Sequence, residues 1–327
     1  MKKKNCLVAL WHKYPFWQIP LEYINYLSYY YPHINFMVAR SSTELIEKIS
    51  EAEILYCWEI KETHLEHAKN LSWIQLASSG VDKRIPPNFF KKYNISLTNM
   101  KGVGATAIAE FVLGVIISFN RGLYKATLDS AVRKWDRASF LQDSIYAKSL
   151  SETTIGILGF GAIGFKIYSL LMPLGVKIKI CSRSKPSING FDNFYSLSQM
   201  SAFLDSLDYL IISLPLNDET HHLIEFPEIQ LMSPNTFIIN VAREEIINRE
   251  ALLKGIFENK IRGILIDVLA QEPPLENAFY PLHDNIIITP HIASLSKSFW
   301  EDSINIFCKN IDLFLQKLVK INETFSF

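Results

Sequence analysis

Residues Thr153-Thr154-Ile155-Gly156-Ile157-Leu158-Gly159-Phe160-Gly161-Ala162-Ile163-Gly164 run from an apolar, β-rich segment straight into Gly-x-Gly-x-x-Gly. An apolar helical pattern follows at Ile163, Ile167, Leu170 and Leu171. Each glycine answers a separate steric demand: a tight strand-to-helix turn, close approach of a backbone to a pyrophosphate, and close packing of helix on strand. The helix N-terminus adds unpaired N–H groups and a partial positive charge, which suit phosphate. Strand, turn and helix in this order predict a βαβ unit with a dinucleotide held at Gly159, Gly161, Ala162, Ile163 and Gly164. The plainer alternative is a glycine-rich packing turn with no ligand.

The rest of the chain extends that unit in both directions. On the N-terminal side, Asn5–Leu10, Asn35–Ala39, Glu53–Trp58, Trp73–Leu76 and Ile95–Thr98 read as strands. Helical patterns at Pro20–Tyr31, Ser42–Ile49 and Thr63–Lys69 lie between them, with Ser42 and Thr63 as N-caps. This alternation predicts a small parallel sheet covered by helices. Ala105–Gly122 reads as a helix apolar nearly all round, buried between two domains or subunits. A second series of strands follows at Thr154–Leu158, Val176–Cys181, Tyr209–Ser213, Thr236–Asn240, Gly263–Asp267 and Ile286–Thr289, punctuated by prolines including Pro173, Pro186, Pro215 and Pro234. Six short strands with helical connectors fit a doubly wound nucleotide-binding sheet. Ser298–Val319 reads as an amphipathic helix (Phe299, Ile306, Phe307, Ile311, Phe314, Leu318) returning to the first domain. The expected division is therefore 1–100 with 290–327, and 101–289.

Composition narrows the partners. Lys+Arg and Asp+Glu both number 33, and a neutral chain lacks the basic surface that general nucleic-acid binding requires. No apolar run approaches the roughly 18 residues of a membrane span, and the run after Met1-Lys2-Lys3-Lys4 breaks at His12-Lys13, unlike a signal peptide. Cys6, Cys57, Cys181 and Cys308 show neither metal-ligand nor disulfide-framework spacing, which suits reduced cysteines in the cytoplasm.

The second nucleotide-domain strand bears on which dinucleotide is bound. An acidic residue about 20 positions past the glycine turn normally takes the ribose 2′-OH. Here the strand Ile178-Lys179-Ile180-Cys181 ends in Ser182-Arg183-Ser184-Lys185. A carboxylate would repel a 2′-phosphate, whereas Ser182, Arg183 and Ser184 would hold one by charge-assisted hydrogen bonds. NADP(H) is expected over NAD(H). An Arg183 that only stacks on adenine or sits in solvent would leave NAD(H) tolerated.

Further polar groups stand at the carboxyl ends of three apolar strands, where ligands bind in open α/β sheets. Arg243 follows Phe237-Ile238-Ile239-Asn240-Val241-Ala242. Asp267 ends Gly263-Ile264-Leu265-Ile266-Asp267, with Glu272 before Pro273-Pro274. His291 follows Ile286-Ile287-Ile288-Thr289-Pro290. Taken singly, each has a bland reading as a surface ion pair or a structural histidine. As an ordered set, the glycine turn, Asn-x-Ala-Arg, Asp-Val-x-x-x-Glu-Pro and Thr-Pro-His resemble the D-isomer-specific 2-hydroxyacid dehydrogenase family. Ser78-Ser79-Gly80-Val81-Asp82 is similar to its substrate-carboxylate loop, Gly102–Glu110 to the start of its interdomain helix, and Pro215-Leu216-Asn217-Asp218-Glu219-Thr220 to the loop after its third nucleotide-domain strand.

The resemblance implies two Rossmann-like domains: a doubly wound nucleotide-binding domain, and a flavodoxin-like substrate domain. It also implies a homodimer, with a cleft between the domains that closes by hinge motion. His291 is then the general acid, Glu272 its partner that fixes the tautomer and raises its pKa, and Arg243 the residue that binds and polarises the 2-keto acid. Ser79 and Gly80 complete the carboxylate site, and Trp58, Trp135, Phe299 and Trp300 are candidates to surround the substrate side chain. Pro215, Thr220, Ala242 and Asp267 face the cofactor, Asp267 at the nicotinamide carboxamide. The hydride comes from the cofactor, so no metal is called for. Reduction of glyoxylate or hydroxypyruvate is the expected activity. A phosphoglycerate dehydrogenase and a corepressor-like dinucleotide sensor without turnover are the alternatives. Glu244 departs from the family, which commonly has glycine after the arginine. A positive φ there would strain a glutamate, and its carboxylate would compete for Arg243.

Overall fold

The computed structural model describes residues 3–143, 146, 148–185, 187–188, 191–275, 280–281 and 283–316. The chain forms two compact units, one from residues 1–103 with 297–327, the other from 104–296.

In the first unit the strands are β1 Lys4–Ala9, β2 Ile34–Val38, β3 Ile54–Cys57, β4 Trp73–Leu76 and β5 Ser96–Thr98. They pair in parallel in the order β2-β1-β3-β4-β5, the flavodoxin-like order. Helices α1 Leu21–Tyr30, α2 Ser42–Ile49, α3 Glu62–Leu65 and α4 Phe89–Lys92 connect them. The cap of α2 is Ser41, one residue earlier than the sequence pattern suggests, and its hydroxyl accepts the Glu44 amide at 3.1 Å. Helix α3 starts before Thr63, where the His64 ring accepts the Lys61 N–H at 3.3 Å.

The second unit begins with α5 Ala105–Asn120, followed by α6 Leu123–Ala131 and α7 Arg137–Gln142. Its strands are β6 Thr154–Leu158, β7 Lys177–Cys181, β8 Phe194–Tyr195, β9 Tyr209–Ile212, β10 Phe237–Asn240, β11 Gly263–Ile266 and β12 Ile286–Ile288. All pair in parallel in the order β12-β11-β10-β9-β6-β7-β8. Helices α8 Ala162–Leu171, α9 Met200–Leu204, α10 Phe226–Gln230 and α11 Arg249–Phe257 complete it. Leu158 at the end of β6 pairs with Cys181 on one side and Ile212 on the other. The strand order reverses there, which opens a crevice at the carboxyl edge.

Helix α5 buries Ile108, Ala109, Val112, Ile116 and Phe119 in one cluster with Ile167 and Leu171 of α8 and with β6. Full burial of each large side chain contributes about 1.5–3 kcal/mol, so this stripe fixes the helix within its own unit. No single helix among the described residues is long and apolar enough to cross a membrane.

The last helix, α12 Phe299–Leu315, belongs to the first unit. Phe299, Trp300, Ile304, Phe307 and Ile311 share a core cluster with Cys6, Val8, Tyr56 and Trp73. Leu318 and Val319 of the expected tail, and Pro186, lie outside the described residues. The return to this unit comes at residue 297 rather than 290. The Asp267 carboxylate accepts the amides of Ile292 and Ala293, both at 2.9 Å, and so keeps residues 290–296 with the second unit. All four cysteines are free thiols, and burial pushes that of Cys181 up to about 12.

Candidate active site

The glycine turn leaves β6 at the point where the strand order reverses. Gly159 has φ 98°, in the left-handed region, and a Cβ there would stand 2.9 Å from the Leu214 nitrogen. A Cβ on Gly164 would fall 2.2 Å from the Gly159 carbonyl oxygen, so helix and turn touch only because it is absent. Gly161 differs, because a Cβ there would meet no atom within 4 Å. Its lack of a side chain answers no packing demand of the protein itself. Gly161 caps α8, where the free N–H groups and the dipole favour an anion. Open space at this glycine, against crowding at the other two, fits a bound pyrophosphate.

Past β7, the Ser182 hydroxyl donates to the Ser184 carbonyl at 2.7 Å, and the serine is buried. This bond tightens the turn and leaves Arg183 and Ser184 exposed. After β9 the buried Thr220 hydroxyl donates to the Pro215 carbonyl at 2.6 Å and accepts the Asn217 N–H at 2.8 Å. Thr220 thus closes the loop that begins at Pro215.

The Arg243 turn is shaped by Asn240, whose side chain accepts the Ala242 N–H at 3.0 Å and donates to the Arg243 carbonyl at 2.8 Å. An Asx-type turn of this kind is a local choice of asparagine. Arg243 donates from Nη1 to the Ala242 carbonyl at 2.7 Å. The next residue corrects an expectation. Glu244 opens a short 3-10 turn, Glu244–Ile246, and is not among the positive-φ residues, so no strain arises. Its buried carboxylate accepts from the Tyr280 hydroxyl at 2.8 Å and from the Ala270 N–H at 2.7 Å.

His291 lies at the end of β12 with φ 53°, an uncommon conformation for a residue with a side chain. Its N–H donates to the carbonyls of Asp267 and Thr289, both at 2.9 Å. Asp267, only 2% exposed, accepts from the Thr289 hydroxyl at 2.6 Å and from the Ile292 and Ala293 amides. The family resemblance implies that Asp267 meets the nicotinamide carboxamide. In the structure its carboxylate first of all holds the loop that bears His291, and Oδ2, with one donor, keeps capacity for another. The His291 Nδ1 lies 2.7 Å from Glu272 Oε2, while Glu272 Oε1 accepts the Leu269 N–H at 2.9 Å. Burial pushes the Glu272 carboxyl up. The hydrogen bond and charge of His291, the Leu269 amide and the nearby Arg243 outweigh that and hold it below its ordinary value. Nδ1 is thereby engaged, and Nε2 of the half-exposed ring is the nitrogen left for exchange with a ligand.

In the first unit, the Ser79 hydroxyl donates to the Met100 carbonyl at 2.7 Å and its carbonyl accepts from Asn99 at 2.6 Å, which ties the turn after β4 to the segment after β5. The Ser78 hydroxyl donates to the Gly80 carbonyl at 2.7 Å. Trp58, one residue past β3, stacks on Phe299 with ring centres 6.1 Å apart and meets Trp300 edge-on at 5.9 Å. Phe299 and Trp300 are core residues, whereas Trp135 of the second unit is 93% exposed.

A sheet built to hold a dinucleotide, with a carboxylate-braced imidazole and an arginine at its carboxyl edge, defines a class: dinucleotide-dependent oxidoreductases. The comparisons resolve the class into a family. Residues 113–293 match the family model for the NAD-binding domain of D-isomer specific 2-hydroxyacid dehydrogenases, and the chain belongs to that family. It is similar to a hydroxypyruvate reductase of Thermotoga maritima (28% identity; 80% of this chain, 79% of that protein). It is also similar to a glyoxylate reductase of Thermofilum pendens (30% identity; 78% of this chain, 76% of that protein). Among solved structures, a D-isomer specific 2-hydroxyacid dehydrogenase family protein from Aeromonas salmonicida superposes with a TM-score of 0.80 at 28% identity, over 97% of each chain. The protein is an oxidoreductase of the D-2-hydroxyacid dehydrogenase type that uses a nicotinamide cofactor.

Proposed function

We propose that the protein reduces a small 2-keto acid, glyoxylate or hydroxypyruvate, with NADPH. The observation that carries the reading is the His291–Glu272 pair at 2.7 Å, which leaves Nε2 as the proton-exchanging nitrogen. Arg243 binds the substrate through its carboxylate and carbonyl oxygens and draws electron density from the carbonyl carbon. His291 gives its Nε2 proton to the carbonyl oxygen as that oxygen gains charge, and takes it back in the reverse direction. Glu272 holds the ring and its tautomer through Nδ1. The cofactor, when bound at Gly159, Gly161, Ala162, Ile163 and Gly164, supplies the hydride. Pro215, Thr220, Ala242 and Asp267 are assigned to it as well. Ser79, Gly80 and Trp58 of the first unit, the substrate domain in this reading, are assigned to the keto acid.

Two observations support NADPH: the absence of an acid after β7, and the exposed Arg183 beside Ser182 and Ser184. We further infer a homodimer built on the second unit. The exposure of the apolar residues Val132, Trp135 and Leu141 there, 73%, 93% and 74%, supports the inference. Free thiols and a demand for reduced nicotinamide suit the cytoplasm. The test is a panel of glyoxylate, hydroxypyruvate, pyruvate and phenylpyruvate with each reduced cofactor. Oxidation of NADPH with either of the first two is expected. No oxidation with any member would reject the reading, and a clear preference for NADH would reject the cofactor assignment. A monomeric mass in solution would reject the dimer.

A further inference from the structure

Glu244 stands directly after Arg243, and its place in the fold gives it a second connection to the reacting groups. The residue is 8% exposed. Oε1 accepts from the Tyr280 hydroxyl at 2.8 Å and Oε2 from the Ala270 amide at 2.7 Å. The Arg249 guanidinium lies 3.8 Å from Oε1 and covers the Tyr280 ring at 4.1 Å from its centre. A carboxylate enclosed to this degree is tolerable only because it is paired and hydrogen-bonded.

The direction of these bonds matters more than their number. The loop after β11 offers two consecutive amides. Leu269 N–H goes to Glu272, the partner of His291, and Ala270 N–H goes to Glu244, the neighbour of Arg243. One short stretch of backbone is therefore gripped by the carboxylate that braces the imidazole and by the carboxylate of the residue that follows Arg243. We propose that Glu244 is a positioning residue: it locks the Arg243 turn to the loop of Glu272, and so fixes the spacing between the substrate-binding guanidinium and the acid–base histidine. Burial and the Glu244 charge push the Tyr280 phenol above its ordinary value, so the tyrosine remains a donor at any working pH. The inference rests on the reading of Arg243 and His291 given above.

The experiment compares Glu244→Ala, Glu244→Gln and Tyr280→Phe with the unaltered chain by amide hydrogen exchange and by steady-state kinetics. The Ala variant should lose about tenfold or more of the exchange protection at Leu269 and Ala270, with β10 and β11 unchanged. Its kcat on the keto acid should fall about tenfold or more, with the cofactor Kd held within about twofold. The Gln variant keeps one acceptor oxygen and should fall between. Protection within about twofold of the unaltered chain would overturn the proposal, as would a lowered Tm with kcat unchanged. Should the Ala variant not fold, Tyr280→Phe decides: loop deprotection with lowered kcat supports the lock, and unaltered values for both refute it. An unaltered chain that turns over no keto acid sinks the functional reading alone, since the exchange measurement needs no activity.

Discussion

Alanine placed at two glycines of one turn should produce opposite defects. At Gly164 the new Cβ would lie 2.2 Å from the Gly159 carbonyl oxygen and 3.2 Å from the Gly159 carbonyl carbon, both backbone atoms that cannot rotate away. Overpacking of this kind typically costs about 1–3 kcal/mol, and in a unit of this size each kcal/mol lowers Tm by roughly 2–4 °C, so a fall of about 2–12 °C is expected for Gly164→Ala. At Gly161 the Cβ meets nothing within 4 Å. The residue has φ −84°, which alanine adopts freely. Loss of a preferred N-cap residue and the lower chain entropy of the unfolded state are opposing terms of about 0.5–1 kcal/mol each, so Tm should stay within about 2 °C. The same Cβ occupies space assigned to the pyrophosphate, and the cofactor Kd should rise about tenfold or more, equivalent to about 1.4 kcal/mol. Differential scanning fluorimetry without ligand and calorimetric titration with NADPH measure the two quantities separately. An unchanged Kd for Gly161→Ala would refute the phosphate assignment, and an unchanged Tm for Gly164→Ala would refute the packing argument.

The chemistry gives three further tests. His291→Gln should lower kcat by about 10²–10⁴-fold and leave cofactor affinity intact; unchanged turnover would remove the histidine from the mechanism. Arg183→Ala should raise the Kd for NADPH by about tenfold to a hundredfold, the range for a hydrogen bond to a charged group, while NADH is unaffected; equal effects on both would show that Arg183 does not read the 2′-phosphate. Glu272, held below its ordinary value in the folded chain, contributes stability that is present above the unfolded carboxyl pKa and lost as pH falls through the folded one. The Tm advantage of the unaltered chain over Glu272→Gln should therefore be full above about pH 4.5 and shrink on acidification, following the unfolded carboxyl value; an advantage that grows in acid would contradict the pairing.

What the sequence discloses and what it conceals divide along a physical line. Strands such as Trp73–Leu76 and Thr154–Leu158 are readable to the residue, because each is a short apolar run between turn signals. The edge strand Phe194–Tyr195 is not, because two residues carry no periodicity and only pairing with Ile180 and Cys181 defines them. The identities of Arg243, Glu272 and His291 show in the chain, since polar groups at the ends of apolar strands stand out. Their supports do not. Asp267 reaches amides 25 and 26 residues on, and Glu244 reaches a tyrosine 36 residues away. Neither link has a local signal.

Glu244, which departs from the family pattern, depends on such distant partners. Judged locally, a glutamate in place of glycine predicts strain and competition for the arginine. Both expectations come from the assumption that the backbone must keep a glycine conformation and that the nearest cation takes the carboxylate. The chain instead enters a 3-10 turn at Glu244, and the carboxylate turns to Tyr280 and Ala270. A buried hydroxyl and a loop amide compete well for a carboxylate, because leaving either without a partner costs about 1–3 kcal/mol. The substitution therefore adds a brace between two loops of the site, and its effect has to be sought in the loop that carries Glu272.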